Sequence, residues 1–172
     1  MNFIIIQIIG AIGYSLLALS YFQKEKIKIL LMQIIAYVMF IVHYYLLDGI
    51  TGSICNLIGL FALVTIYLFE KKNVKNKKVL AIGMIPFIVA IALFTYRDIY
   101  SIFPIVASII VILSFLTKHE NVIRMIGIIS AICWLIYAIV FKSYVAIAFE
   151  VIMIISTITA LVKNKKSKNE IN

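Results

Sequence analysis

The sequence predicts an all-α membrane protein with seven transmembrane helices, in which two parallel three-helix repeats are joined by one linker helix. Four observations predict this fold class. Of the 172 residues, 65% are hydrophobic and 13% are charged, and the mean hydropathy of +1.14 exceeds what a soluble core can hide. Apolar stretches of roughly 17 to 25 residues, the length that crosses a bilayer, follow one another along the chain. Lys and Arg gather in alternate loops, and the two halves of the chain align with each other.

The seven predicted spans are separated by single charges or by short polar patches. They cover residues 3–22, 29–47, 49–69, 79–96, 99–116, 122–141 and 144–162. Asp48 separates the second span from the third, and Lys142 separates the last two. Arg97 and Asp98 lie between the fourth span and the fifth. Residues 163–172 are too polar and too basic to insert, so we expect a disordered tail.

The basic residues predict the orientation of the chain in the membrane. No basic residue precedes the first apolar stretch, whereas Lys24, Lys26 and Lys28 follow it directly, which favours an uncleaved helix over a signal peptide. With the N-terminus outside, all of the 16 Lys and Arg residues except Arg97 and Lys142 fall on the inner side. We therefore expect a cytoplasmic C-terminus. The inner loops should contact anionic lipids rather than nucleic acid, because no aromatic residues interleave the basic ones.

One register aligns the two halves of the chain, at an offset of 94 residues from Asp48 to Lys142. The same register pairs Phe40 with Trp134, His43 with Tyr137, and Asn56 with Glu150. The chain then divides into a first repeat (1–72), a basic loop with the linker helix (73–98), a second repeat (99–162) and the tail. Parallel repeats of this kind are one of the known transporter plans, with the substrate site near the midplane where the repeats meet.

Glu150 is the first candidate for a substrate-binding residue, because it is a carboxylate inside an otherwise apolar stretch. An ionised carboxylate near the bilayer centre costs at least about 2.5 kcal/mol, so such residues usually face a cavity or a partner. Asn56 is the eighth residue of its span and Glu150 the seventh of its own. At about 1.5 Å per residue, both should lie roughly 10 Å below the outer surface. The alternative for each is a structural hydrogen bond between helices.

Four further residues are candidates for substrate binding, and each has a structural alternative. His43 lies near the outer end of its helix and is either a functional group or part of an interfacial belt. Trp134 and Tyr137 are three residues apart on one helix face, where they either line a pathway or pack the bundle. Gln33 is polar within the second span and is a candidate to face the pathway, although its repeat counterpart is Gly127.

Gly10 and Pro104 correspond across the repeats, so they are candidate hinges in the first helix of each bundle, with close packing as the alternative.

No enzyme is expected, because the sequence contains no HExxH, no GxSxG and no glycine-rich phosphate loop. Cys55 and Cys133 lie in separate apolar stretches without metal-ligand spacing. We therefore expect no catalytic residues, no metal and no cofactor.

Two groups of residues resemble a known superfamily of transporters. The second repeat has Trp134, Tyr137, Ala138, a short turn at Lys142 and Ser143, and then Glu150, which resembles the W-x-x-Y-G, turn, Asn pattern of the SWEET, SemiSWEET and PQ-loop transporters. Residues 9–24, IGAIGYSLLALSYFQK, are similar to the first helix of a SemiSWEET unit, with Gln23 and Lys24 in place of its Pro-Gln pair. Within this superfamily, the pattern of Ser20-Tyr21-Phe22-Gln23-Lys24, Gln33, His43-Tyr44 and Gly49-x-Thr51-Gly52 most resembles the YgjV-like bacterial inner-membrane proteins.

The resemblance implies a multi-pass protein of the bacterial inner membrane, with two three-helix bundles around a central pathway. Asn56 and Glu150 match the positions of the superfamily's pore asparagines, and the carboxylate at one of them favours a cationic or proton-coupled substrate over a neutral sugar. The implied function is transport of a small polar solute by alternating access. Alternatives are a carrier of a vitamin precursor, such as nicotinamide riboside, and a non-transporting scaffold or lipid-binding subunit. The polarity of the cavity would distinguish a carrier from a scaffold, because a transporter needs a wet, solute-sized cavity at Glu150, whereas a scaffold should pack that level closed. A homodimer is also compatible with the sequence.

Overall fold

The computed structural model describes residues 2–20, 22–72, 83, 86–88, 90, 94–114 and 120–171, and no strand occurs among them. Within these residues, six α-helices have both of their ends defined: α1 Phe3–Ser20, α2 Lys26–Leu46, α3 Ile50–Lys71, α4 Ile102–Ser114, α5 Glu120–Val140 and α6 Tyr144–Ile171. A 3-10 turn, Ile99–Ser101, leads into α4. The predicted linker helix, residues 79–96, lies outside the described residues except for 83, 86–88, 90 and 94–96.

Five of these helices contain a stretch that is long and apolar enough to cross a membrane. The stretches are Phe3–Ser20, Lys26–Leu46, Ile50–Lys71, Val122–Val140 and Tyr144–Val162. The apolar helix over Ile99–Val111 is shorter. The all-helical membrane fold predicted from composition is therefore confirmed for the described part of the chain.

The last helix continues beyond the predicted end of the seventh span. Its backbone is helical to Ile171, whereas we expected residues 163–172 to form a disordered tail. The difference has a simple cause, because this stretch contains no Gly or Pro and is rich in Lys, which has a high helix propensity. A helix that leaves the membrane therefore has no residue that ends it here.

The helices pack as two groups of three. In the first group, α2 contacts both α1 and α3, and in the second group α5 contacts both α4 and α6. Among the described residues, the most extensive contacts between the groups are those of α1 with α6 and of α3 with α4. The first helix of each group thus contacts the third helix of the other group.

The α2–α3 turn and the α5–α6 turn have the same backbone geometry. Asp48 has a φ of 63° and Lys142 a φ of 55°, both in the left-handed region. The next residue closes each turn, since the Gly49 N–H donates to the Tyr44 carbonyl at 2.8 Å and the Ser143 N–H donates to the Ala138 carbonyl at 2.9 Å. The left-handed residue itself donates to Tyr45 in the first turn and to Ile139 in the second. This bond pattern is a Schellman motif, here without glycine at the left-handed position.

Candidate substrate cavity

A cavity of about 300 Å³ lies between the two groups and is lined by residues from all six helices. Its volume corresponds to roughly ten water molecules at about 30 Å³ each. Most of the lining is apolar, and six aromatic side chains contribute to it: Tyr14, Tyr37, Phe40, Tyr44, Trp134 and Phe149. Polar side chains are few, with Asn56 on α3 and Glu150 on α6 among them. The cavity is therefore large enough for a small organic molecule.

The lining residues occur largely in pairs that are 94 positions apart in the sequence. The pairs are Tyr14 and Ser108, Leu17 and Val111, Tyr37 and Ala131, Phe40 and Trp134, Cys55 and Phe149, Asn56 and Glu150, and Gly59 and Met153. Both groups thus present the same helix positions to the cavity. Their chemistry differs within each pair, so that the two walls are not equivalent.

Asn56 and Glu150, which the sequence predicts as site residues, both line this cavity. Asn56 is buried, and its Nδ2 donates to the Gly52 carbonyl one turn earlier in α3, at 2.8 Å. Its Oδ1 accepts no hydrogen bond within the described part of the chain. Among the same residues, the Glu150 carboxylate has neither a hydrogen bond nor a basic partner within 4.0 Å. The cavity therefore holds an amide oxygen and a carboxylate that a solute could engage.

Tyr44 also lines the cavity, although the sequence did not single it out as a site residue. Its side chain is 1% exposed, and its hydroxyl, which lies toward those of Tyr14 and Ser143, has no partner in hydrogen-bond geometry among the described residues. The neighbouring Tyr45 is 63% exposed, as a belt residue would be. A sequence signal for Tyr44 does exist: it lies one helical turn after Phe40, which is the repeat counterpart of Trp134. Tyr44 and Phe40 are therefore on the same face of α2. A buried hydroxyl without a partner is rare in folded proteins, and here it is at a cavity wall.

Trp134 lines the cavity as well, with its ring centroid 5.6 Å from that of Tyr44.

Gln33 does not line the cavity. Its Nε2 instead donates to the Ser20 hydroxyl at 3.4 Å and so connects α2 with α1. The repeat counterpart of Gln33, Gly127, is a lining residue. Within the first repeat, the polar group at this position therefore stabilises helix packing.

His43 is fully buried and lies outside the cavity lining, one layer closer to the turns. Its Nδ1 is 2.8 Å from the Ile6 carbonyl oxygen, and its Nε2 is 2.6 Å from the Ser143 hydroxyl. Because a carbonyl only accepts, a neutral His43 ring donates from Nδ1 and accepts the Ser143 proton at Nε2. His43 therefore connects α2 of the first group to the α5–α6 turn of the second. Its burial rules out an exposed interfacial belt position.

Tyr137 makes the equivalent connection in the opposite direction. Its ring is buried, and its hydroxyl accepts a hydrogen bond from the Gly52 N–H in the first turn of α3 at 2.9 Å. The first N–H groups of a helix have no partner within the helix. Gly49, the residue directly before α3, has no side chain that could cap them. A Cβ at Gly52 would collide with the Tyr137 ring. We call the His43–Ser143 and Tyr137–Gly52 hydrogen bonds the two cross-bonds.

Neither candidate hinge lines the cavity. Gly10 lies in the middle of α1, where an added Cβ would be 2.7 Å from the His43 ring. Pro104 is fully buried in the first turn of α4, where a proline removes no intrahelical hydrogen bond. Gly10 thus allows the close approach of α1 and α2, and a hinge role for Gly10 and Pro104 stays a prediction.

No cluster of three metal-ligating side chains occurs among the described residues.

A family model, Imp-YgjV, described as a bacterial inner membrane protein, matches residues 4–168. The matched stretch contains both turns and every residue that lines the cavity. No curated protein and no solved structure matches the chain.

Proposed function

The chain belongs to the Imp-YgjV family of bacterial inner membrane proteins, and from that premise we propose that it is a carrier for a small polar solute that works by alternating access. The observation that supports this proposal is the cavity at the junction of the two helix groups, with Glu150 and Asn56 in its lining. A scaffold that does not transport would pack this level closed. A solute-sized cavity around a carboxylate fits a carrier better.

The internal symmetry of the molecule supports the SWEET-like arrangement of three, one and three helices. If each helix of the first group is replaced by its counterpart in the second group, and the reverse, the α1–α6 contact becomes the α3–α4 contact. The same exchange relates the two turns and the paired lining residues. It also places Tyr137 at the position of His43, although the cross-bonds of these two residues end at positions that are not equivalent. In transporters built from parallel repeats, the substrate binds between the repeats near the midplane. The cavity likewise lies between the two groups of helices.

The cross-bonds indicate how the carrier would open. Both lie on the side of the two turns, which the basic residues predict to be the outer side, and the Gln7 side chain adds a bond to the Lys142 carbonyl at 3.0 Å. Hydrogen bonds between membrane helices contribute on average about 0.6 kcal/mol each. Separating the groups on this side therefore costs little hydrogen-bond energy. We take the described conformation as closed toward the outside, with the cavity reached from the cytoplasm.

Thiol labelling tests alternating access without knowledge of the solute. Cys55 lines the cavity and Cys133 does not, so Cys133→Ser leaves one reporter thiol in the cavity and Cys55→Ser is the matched control. We would treat inside-out and right-side-out membrane vesicles with a membrane-impermeant methanethiosulfonate. The proposal predicts that Cys55 reacts from the cytoplasmic side and more slowly from the outside. Reaction from neither side, with full reaction after unfolding, would contradict a carrier.

A further inference from the structure

We propose that the cavity binds a small organic cation, with its charge held at Glu150 and its apolar body among the aromatic rings. This inference rests on the proposed function, because it names the class of solute that the carrier takes. Three features of the lining lead to it: an unpaired carboxylate, a wall of aromatic side chains, and a buried hydroxyl without a partner.

The first feature is the charge of the cavity. Glu150 lines it, and no basic side chain is among the lining residues. Within the described part of the chain, the carboxylate also lacks an ion pair and a hydrogen bond. A carboxylate at membrane depth is costly unless a partner compensates its charge, and such residues mark the pathways of ions and substrates. A cationic solute supplies the compensation that the protein itself does not.

The second feature is the aromatic wall. The Tyr14 ring is packed against Phe40 and Phe149, with centroids 4.5 and 4.6 Å apart, and Tyr44 is packed against Trp134. Aromatic faces attract organic cations, and Trp gives the strongest attraction, so aromatic cages recognise quaternary ammonium groups. Rings also accommodate the apolar carbons that surround such a charge. One carboxylate together with several rings therefore matches a monovalent organic cation.

The same lining matches a sugar poorly, because a polyol needs a hydrogen-bond partner for each of its hydroxyls. The Ser108 hydroxyl already donates to the Pro104 carbonyl at 2.7 Å, and the Asn56 Nδ2 is bonded to its own helix. The groups that remain able to bind a solute include the Asn56 Oδ1, the Glu150 carboxylate and the Tyr44 hydroxyl. The Ser130 hydroxyl also lines the cavity and makes no hydrogen bond within the described part of the chain. We assign the Tyr44 hydroxyl to a hydrogen bond with a polar substituent of the cation, which would satisfy an otherwise unpaired buried group.

The single tryptophan of the chain provides a local readout of binding, because Trp134 is a wall of the cavity. We would titrate the purified full-length protein while following its tryptophan fluorescence and its thermal unfolding. The probes are two matched pairs, choline with its isosteric alcohol dimethylbutanol, and phenethylammonium with phenylethanol. Glucose is the neutral polar probe. The expected result is that the cations bind at least ten-fold more tightly than their uncharged partners.

Substitutions separate the role of Glu150 from a general effect of charge. Glu150→Gln should weaken binding of the cations at least ten-fold, and Tyr44→Phe should weaken it several-fold. The control is Glu70→Gln, since Glu70 lies at the far end of α3, bonded to Lys26 and outside the cavity. That variant should bind the cations as the wild type does. If Glu150→Gln does not fold, the charged and uncharged probes on the wild type still decide the question.

Two outcomes overturn the inference and are distinguishable from failure of the carrier proposal. If an uncharged probe binds as tightly as its cationic partner, or if glucose binds and the cations do not, the solute class is wrong and a carrier still stands. If no probe binds at millimolar concentration, the organic-cation class is also wrong. In both cases the labelling of Cys55 from the two membrane sides decides separately whether the protein alternates its access.

Discussion

The two three-helix groups share their geometry but differ in the chemistry of equivalent positions. Asn56 of the first group faces the cavity where the second group has Glu150, and His43 occupies the position of Tyr137. His43 and Tyr137 each make a cross-bond, although one side chain is an imidazole and the other a phenol. Backbone geometry and helix contacts are thus repeated in the two groups, while the chemistry of equivalent side chains differs.

The difference between Asn56 and Glu150 has a physical advantage for a carrier of monovalent cations. Two carboxylates facing one small cavity would repel each other, and this repulsion disfavours ionisation of one of them. A single carboxylate opposite an amide leaves one net charge for the solute to neutralise. The asymmetry thus matches the charge of the proposed substrate.

The largest expected effect comes from filling the space that the cross-bonds require. Gly52→Ala places a methyl group into the Tyr137 ring, and Gly10→Ala places one against His43. Overpacking of this kind costs about 1–3 kcal/mol, so both variants should unfold at a lower temperature. Gly127→Ala is the matched control, because an added Cβ there meets nothing within 4 Å. Its effect should be neutral or stabilising, and a loss of stability equal to that of Gly52→Ala would contradict the packing argument.

Moving the carboxylate to the other group tests whether the two walls of the cavity are interchangeable. Glu150→Gln alone should lose at least ten-fold in affinity for choline, which corresponds to about 1.4 kcal/mol. Adding Asn56→Glu returns one charge to the cavity from the opposite wall. The double variant should recover most of the lost affinity in the fluorescence titration. If it binds no better than Glu150→Gln, the position of the charge matters and not only its presence.

The cross-bonds should contribute similar, smaller energies. Tyr137→Phe removes the acceptor of the Gly52 N–H, and Ser143→Ala removes the donor to His43. Hydrogen bonds between membrane helices contribute about 0.6 to 1.7 kcal/mol, so each variant should lose about 1 kcal/mol of stability. Both should also increase the labelling of Cys55 from the outer side of the membrane. Lower stability without faster labelling would show that the cross-bonds stabilise the fold but do not close the outer side.

Much of the architecture follows from the sequence because it depends on hydropathy and charge. Five of the seven apolar stretches coincide with helices that are long enough to cross a membrane, while the stretch predicted over residues 99–116 forms a shorter apolar helix. The register from Asp48 to Lys142 predicted two turns that have the same hydrogen bonds. Asn56, Glu150 and Trp134 were also predicted as site residues, and all three line the cavity. These features are local or repeated, so sequence patterns are sufficient to find them.

Other parts of the site depend on helix rotation and on contacts distant in sequence. Tyr44 and Tyr45 look alike in the sequence, yet one is 1% exposed and the other 63% exposed, because packing sets which face of α2 points inward. The partner of His43 is Ser143, which is 100 residues away. Periodicity cannot pair two such positions, and the fold has to be known first.

The smallest effect concerns the two turns themselves. Asp48 and Lys142 have left-handed backbone angles that glycine adopts without strain, whereas a side chain there costs roughly 1–2 kcal/mol. Glycine also loses about 0.5–1 kcal/mol more conformational entropy on folding, so Asp48→Gly and Lys142→Gly should each stabilise the protein by about 0.5 kcal/mol. The Asp48 carboxylate is 4.0 Å from the Arg97 guanidinium in an exposed pair, which contributes little. Asp48→Ala removes that pair but keeps the strain, and it should not raise the unfolding temperature. Equal gains for the two glycine variants would show that the repeats share their turn energetics as well as their geometry, while a gain at only one turn would limit the equivalence to backbone shape.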